Sequence, residues 1–418
     1  MAQISDDCFA SGDELMPLDQ ALKLIGERLS PVVARETVDL DKALGRVLAE
    51  DVVASVNVPP HDNAAVDGYA FRFADLTRGG GGVLPIVGRA AAGHPIRDDV
   101  AAGGAVRIFT GAPMPGGCDT VLMQEDARLE DGTVIVPPGL RAGANRRKAG
   151  EDIARGQIVL KTGRRLQPAD LGVAASIGQC RLPVFKRLKV ALFSTGDELR
   201  EPGETLAPGS IHDSNRYVLK GMLGRLGAEV VDLGILPDRY DEIRGAIARA
   251  SASHDLIVTS GGVSVGEEDH VRLAVEALGH LHFWRLAVKP GRPIALGQIG
   301  AALFAGLPGN PVAVVLTFAR IVRPLVEILS GAAARPAQFF QVRAGFACRK
   351  KKGRREWIRV RLETVDDGVR VVRRYPRQGS GILMSVVDSD GVIELPEDLT
   401  ELEEGAMVNF LPFDGIGA

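Results

Sequence analysis

Asp255-Leu256-Ile257-Val258-Thr259-Ser260-Gly261-Gly262-Val263-Ser264-Val265-Gly266-Glu267-Glu268-Asp269 is the stretch whose reading decides the fold. Its apolar, β-branched opening reads as a buried strand. It then breaks into a Ser/Gly loop and closes on three consecutive acids before a helical pattern resumes. Glycines directly after a strand let a ligand approach main-chain N–H groups, which suits phosphate. Acids at the far end of the loop can hold a divalent cation against that phosphate. Taken alone, the segment is equally an ordinary strand-to-helix turn with solvated acids.

Working outward, strands are expected over 190–193, 230–233, 256–259, 283–288 and 302–305. Helices are expected over 240–250, 270–278 and 311–329. A further helix, capped by Asp213 or Ser214 and ended by Gly227, carries Val218, Leu219, Met222, Leu223 and Leu226 on its apolar face. This alternation predicts a mainly parallel sheet covered on both faces. Ligands of such sheets bind beyond the carboxyl ends of the strands. Four loops, 194–198, 260–269, 289–293 and 307–310, fall at those ends. In the first, Ser194, Thr195 and Gly196 can offer N–H groups, and Glu198 a carboxylate. An acidic helix cap is the plain alternative. In the third, Arg285 and Lys289 lie four apart on a predicted strand and share a face. With Arg292 they suit an oxyanion. In the fourth, Pro308 and Pro311 stiffen a loop that aims a helix N-terminus at the sheet edge.

Upstream, 16–30 is a helix with Leu18, Leu22 and Ile25 on one face, and 40–53 reads as a second helix-like stretch. Short apolar runs over 84–88, 105–110, 120–124 and 133–137 predict a small all-β insert. The helical pattern returns over 167–177, so the segments flanking the insert pack together. After Gly331 the chain is β-like again, with a hairpin signal at Asp366-Asp367-Gly368. The basic run 349–355 reads as a solvated hairpin tip, because aromatics for base stacking are sparse nearby. Asp62 and Asp67, five apart across a loop, read from spacing alone as turn formers and caps.

The 418 residues suffice for two to four domains. A net charge of −3 provides no basic field for nucleic acid. The longest apolar run, 312–329, is broken by Arg320, Arg323 and Pro324, so it reads as a buried helix and not a membrane span. The N-terminus shows no signal-peptide pattern. Cys8, Cys118, Cys180 and Cys348 form no C-x-x-C pair, which fits a reducing cytoplasm.

Three more motifs join the four loops: Asp62-Asn63-Ala64-Ala65-Val66-Asp67-Gly68-Tyr69-Ala70, Arg107-Ile108-Phe109-Thr110-Gly111-Ala112-Pro113 and Gly150-Glu151-Asp152-Ile153. With these the chain resembles, from near Met16 to Pro412, the molybdopterin molybdenumtransferases. These are the insertase enzymes of molybdenum cofactor biosynthesis, homologous to the carboxy-terminal domain of gephyrin. The resemblance implies an elongated α/β multidomain subunit. It has a helical, extended linker domain (1–55 plus 153–184) and an inserted β domain (56–152). A mainly parallel α/β molybdopterin-binding domain (185–332) and a C-terminal β-barrel domain (333–418) follow. It further implies a homodimer whose cleft lies between the α/β domain and the insert of the other subunit. Molybdate would enter adenylylated molybdopterin there, with Mg2+, releasing AMP.

Carried over by position, Asp269 and Glu198 would hold the metal, and Asp238 is a further acid of that domain. Asp62, Thr110, Arg147 and Asp152 would come from the insert side. Ser194, Thr195, Gly196, Ser260, Gly261, Gly262, Ser264, Arg285, Lys289, Arg292, Pro308, Pro311 and Ser380 would contact the substrate. Arg285 and Arg292 stand where lysines are expected in relatives, which keeps charge but not geometry. A separate adenylyltransferase and acceptor molybdoenzymes are the further partners it raises; nucleic acid and membrane are not. A pyrophosphate-bond hydrolase would need the sheet domain alone and leave the insert motifs unexplained. A non-enzymatic scaffold remains the third reading.

Overall fold

The computed structural model describes residues 15–77, 79–262, 269–365 and 368–416. The chain opens with α1 (Leu18–Arg28) and β1 (Arg35–Asp39). The insert follows with β2 (Gly68–Phe71), β3 (Gly82–Ala90), β4 (Ala105–Ile108), β5 (Thr120–Met123), β6 (Arg128–Glu130) and β7 (Thr133–Val136). These form one mixed sheet in the order β5-β2-β4-β3-β7-β6. The chain returns through α2 (Pro168–Ser176) and β8 (Arg181–Phe185), and β8 pairs antiparallel with β1. The two flanks of the insert thus share one core, in which Leu48, Val52, Leu160, Leu166 and Val184 pack together.

The α/β domain follows in order: β9 (Lys189–Thr195), α3 (Asn215–Arg225), β10 (Glu229–Leu236), α4 (Tyr240–Ser251), β11 (Leu256–Ser260) and α5 (His270–Leu278). Next come β12 (His280–Arg285), β13 (Pro293–Ile299), β14 (Ala302–Leu307), α6 (Pro311–Thr317) and α7 (Arg323–Leu329). The sheet order is β10-β9-β11-β14-β13-β12. The first four strands are parallel, and β13 runs antiparallel to both of its neighbours, β14 and β12. Period-two alternation divides its residues between two cores. Val190, Leu192, Leu256, Val258, Leu303 and Ala305 face one side, and Ala191, Phe193, Ile257 and Phe304 the other. Every residue of β11 is buried. Each fully buried aliphatic side chain contributes about 1.5–3 kcal/mol, so the two apolar faces hold the rim loops in register.

The last domain is β15 (Phe340–Ala344), β16 (Arg355–Thr364), β17 (Arg370–Arg374), β18 (Gly391–Leu395) and β19 (Met407–Pro412). Pairings run β16-β17-β15-β19-β18 and return to β16, closing a five-stranded barrel.

Five sequence expectations change. Residues 16–29, grouped with the linker, pack on the sheet domain instead: Leu18, Ala21 and Ile25 join its core, and the Met16 amide donates to Arg285 O at 2.8 Å. Residues 40–53 form no α-helix but a 3-10 turn, Leu40–Lys42, and short bridges that pair Val47 with Arg165 and Leu48 with Val184. Tertiary pairing overrides local propensity there. The expected strand 283–288 ends at Arg285, and Val288–Lys289 instead pairs with Arg355–Glu356 of the barrel. Pro293–Ile299, not among the expected strands, forms β13. Its interior Gly297 lies so close to the His280 carbonyl that an added Cβ would sit 2.6 Å from it. The helix expected over 311–329 contains a π-helical turn, Phe318–Val322, just before Pro324, which has no N–H to continue the regular ladder. The Asp366-Asp367 hairpin tip lies outside the described residues, but its flanking strands β16 and β17 do pair antiparallel.

Candidate functional site

Three parallel strands end side by side, with Ser194 opposite Ser260 and Ser260 opposite Leu307. The antiparallel β13 begins at the same edge, and β12 ends there, Arg285 opposite Pro293. The four loops therefore share one rim. Gly261 and Gly262 both have positive φ, and a Cβ on Gly262 would lie 2.5 Å from Val271 and 2.9 Å from Thr195. The first two loops are packed so closely that only glycine fits between them. Ser264 lies outside the described residues, as do Glu267 and Glu268.

Between this rim and the barrel is a cavity of about 780 Å3, its walls including Gly261, Gly262, Lys289, Arg292, Pro308 and Ser380. The barrel contributes more than Ser380. Arg349, Glu356, Arg359 and Arg374 also line the cavity. Lys289 pairs with Glu356 at 3.2 Å. Pro311 opens α6 beside the cavity, and the Val312 amide donates to Ser380 O at 2.9 Å, which docks the barrel loop on that helix start.

Arg359 was missed from sequence. It is 1% exposed, donates from Nε to Ser385 Oγ at 3.0 Å and from Nη2 to Gly379 O at 3.1 Å. Burial and neighbouring Arg374 push it down to about 10. A guanidinium buried among neutral acceptors is costly unless an anion arrives. The available signal was an arginine inside the apolar strand pattern Trp357-Ile358-Arg359-Val360. Asn215 was also missed. Its Nδ2 donates to Ser260 Oγ at 2.9 Å and Gly309 O at 2.7 Å, tying the second loop to the fourth. Buried oxygens of Ser194, Thr195 and Asn215 have no hydrogen-bond partner among the described residues.

The acids of the rim differ in exposure. Asp269 is 7% exposed and caps α5, its Oδ1 accepting from the Arg272 amide at 3.0 Å. Glu198 is exposed and lies over Gly196. Asp238 follows β10 at the same edge, Leu236 being opposite Thr195. Among the described residues no group of three or more His, Cys, Asp or Glu side chains could hold an ion unaided. Arg285 and Lys289 do not share a strand face as expected. The strand breaks at buried Leu286, and Arg285 stays outside the cavity lining.

A second polar cluster sits on the insert. Asn63–Ala64 pairs with Arg146–Arg147, bringing the 62–67 loop to the 145–153 segment. Asp62 Oδ1 accepts from the Ala149 amide at 2.8 Å, and its Oδ2 pairs with Arg146 Nη1 at 3.5 Å. The cation on Asp62 is thus Arg146. Arg147, one residue on, is exposed. Asp152 is exposed and is held by its amide on Val58 O at 3.0 Å. Asp67 Oδ1 accepts both the amide and the hydroxyl of Thr110 at 2.7 Å. Asp62, Thr110, Arg147 and Asp152 thus stand on converging segments of the insert. The basic run 349–355 is no simple solvated tip: Lys351 and Lys352 are exposed, but Arg355 is buried and pairs with Asp19, Glu394 and Glu397.

Residues 16–178 match the MoeA N-terminal region (domain I and II), 191–328 a probable molybdopterin binding domain, and 341–413 the MoeA C-terminal region (domain IV). A molybdopterin molybdenumtransferase of Haemophilus influenzae is 38% identical over 96% of this chain and 99% of its own length. One from Nostoc sp. is 34% identical over 88% and 87%. The crystal structure of a molybdopterin biosynthesis MoeA protein from Pyrococcus horikoshii superposes with a TM-score of 0.82 at 30% identity, covering 96% of this chain and 100% of that one. The chain belongs to the molybdopterin molybdenumtransferase (MoeA) family.

Proposed function

We propose that this chain is an enzyme of molybdenum cofactor biosynthesis that inserts molybdate into adenylylated molybdopterin and releases AMP. The observation that carries the reading is the rim cavity. Lys289, Arg292, Arg349, Arg359 and Arg374 line it against a single described carboxylate, Glu356. Molybdate and a phosphoanhydride are both oxyanions, and cations with main-chain N–H groups are what such ligands need. Arg359 and Lys289 hold the anionic ligand, the Gly261–Gly262 turn lets it approach the backbone, and Asn215 keeps the two flanking loops in place.

We place Mg2+ at the same rim. It keeps several waters and takes one or two carboxylates plus substrate phosphates, so Asp269 and Glu198, with Asp238 on the same edge, suffice without a three-acid cage. Bound there, it would neutralise phosphate oxygens while the anhydride opens. We place the insert of a second copy over the cavity, making the active unit a homodimer. What supports this is that the polar cluster of the insert is largely exposed and that its strands pair within the insert. An adenylylating enzyme would supply the substrate, and acceptor molybdoenzymes would take the product. Among the described residues no helix is long and apolar enough to cross a membrane. The free Cys118, Cys180 and Cys348 suit work in the cytoplasm.

The test is incubation of the purified protein with adenylylated molybdopterin, molybdate and Mg2+, followed by AMP and metal analysis. Molybdate-dependent AMP release with molybdenum retained on the pterin is expected. AMP release with no metal transfer would favour the hydrolase reading.

A further inference from the structure

We infer that Asp67, read from its spacing only as a turn former, is the positioning residue that turns Thr110 into a pure hydrogen-bond acceptor for the attacking water. The inference rests on the proposed cleavage of adenylylated molybdopterin, and it names the group that sets one reactant in place.

A hydroxyl has one proton and two acceptor positions. Thr110 sends its proton to Asp67 Oδ1 at 2.7 Å, and the same oxygen takes the Thr110 amide at 2.7 Å. The lone pairs of Thr110 Oγ are thereby left for a donor arriving from outside. The pair is rigid although it is open to solvent. Thr110 stands on a turn in which Ala112 N donates to Phe109 O at 2.9 Å, and Gly111, at φ +79, donates to Ala64 O at 2.9 Å. Asp67 is fixed from its other side, its carbonyl accepting from the Gln124 amide at 3.0 Å.

Arg107 completes the support. It donates to Gly68 O at 3.3 Å and to Gln124 Oε1 at 2.6 Å, and lies over the rings of Tyr69 and Phe109 at 5.1 and 4.7 Å. Arg89 covers the same Phe109 ring at 4.7 Å. The Thr110 amide and hydroxyl, with help from Arg107, hold the Asp67 carboxyl below its usual range. Asp67 therefore stays ionised and orients the hydroxyl without taking a proton. In the step itself the water oxygen forms the new bond to phosphorus. The bond to the AMP oxygen breaks with its electron pair on AMP, and the proton of the water leaves to solvent.

The experiment compares steady-state AMP release by full-length wild type, Asp67→Asn, Thr110→Val and Thr110→Ser, with melting temperature as the check on folding. Asp67→Asn keeps an acceptor oxygen but removes the charge, and its amide can donate back to Thr110. We expect kcat to fall about 10- to 100-fold in Asp67→Asn and Thr110→Val, with KM and melting temperature unchanged. Thr110→Ser should recover most of that loss. A raised KM at unchanged kcat would overturn the inference, because the pair would then only bind substrate. Wild-type kcat in Asp67→Asn and Thr110→Val would overturn it as well. If either variant melts early, the inference is judged on the other, together with the rescue by serine. Wild-type protein that releases no AMP would defeat the proposed function itself, a separate result.

Discussion

The sheet rim and the insert tip hold their polar groups in opposite ways. At the rim and on the barrel wall facing it, Ser194, Thr195, Ser260, Asp269 and Arg359 are less than a tenth exposed beneath the exposed Glu198, Lys289 and Arg292, and the groups are tied across loops and domains. On the insert, Thr110, Arg147 and Asp152 are exposed, and the order comes from local turns and short two-residue pairings. A cavity with exposed cations at its mouth and the buried Arg359 in its wall suits tight holding of an anion. An open, rigid cluster suits contact with something brought to it. Because the two clusters are built separately, each half can be attacked on its own.

Asp269→Asn should have the largest effect. Asn caps a helix about as well as Asp, so stability should hold within about 0.5 kcal/mol. Loss of the charge should cut Mg2+-dependent AMP release on the order of 100-fold. Thermal melts beside the kinetics separate the two roles, and wild-type turnover would remove Asp269 from the chemistry. Asp62→Ala comes next. It frees the Ala149 amide and Arg146, and turnover should drop about tenfold or more while molybdopterin affinity, read by equilibrium binding, stays near wild type. Collapse of affinity would end the two-sided picture.

Asn215→Ala tests the rim alone. Two hydrogen bonds between loops disappear, which should cost about 1–3 kcal/mol in chemical denaturation and loosen ligand binding several-fold. The smallest effect belongs to the linker that joins the halves. Burial raises Asp170, but Arg164 at 2.8 Å and the Gln167 amide outweigh it and hold the carboxyl below its usual value. A depressed carboxyl stabilises the fold above its unfolded pKa, and that contribution is lost as pH falls through the folded one. Arg164→Ala should move the acid-unfolding midpoint to higher pH and leave neutral-pH activity alone.

Much of this was legible in the residues. The alternation of strands and helices, the two-faced burial of 256–260 and the four loops at strand ends all follow from local periodicity and glycine placement. So do the insert and the β-rich C-terminal region. The illegible parts depended on partners far away in the chain. Arg355, at the end of a basic run, is a buried clasp because Asp19 and Glu394 meet it there. Val288–Lys289 left the predicted strand because the start of β16, Arg355–Glu356, extends beyond the stretch paired with β17 and takes a partner there.

From its residues alone, the chain determined which segments could be strand, helix or tight turn, because backbone sterics and apolar spacing act over a few residues. Its family motifs also marked most of the polar groups gathered at the two clusters. Only the tertiary structure decided that Asn215 belongs to the rim and Arg359 to the cavity wall facing it, that Arg146 and not Arg147 meets Asp62, and that α1 docks on the sheet. Those outcomes rest on burial and on hydrogen bonds between residues tens to hundreds of positions apart, and no local pattern encodes them.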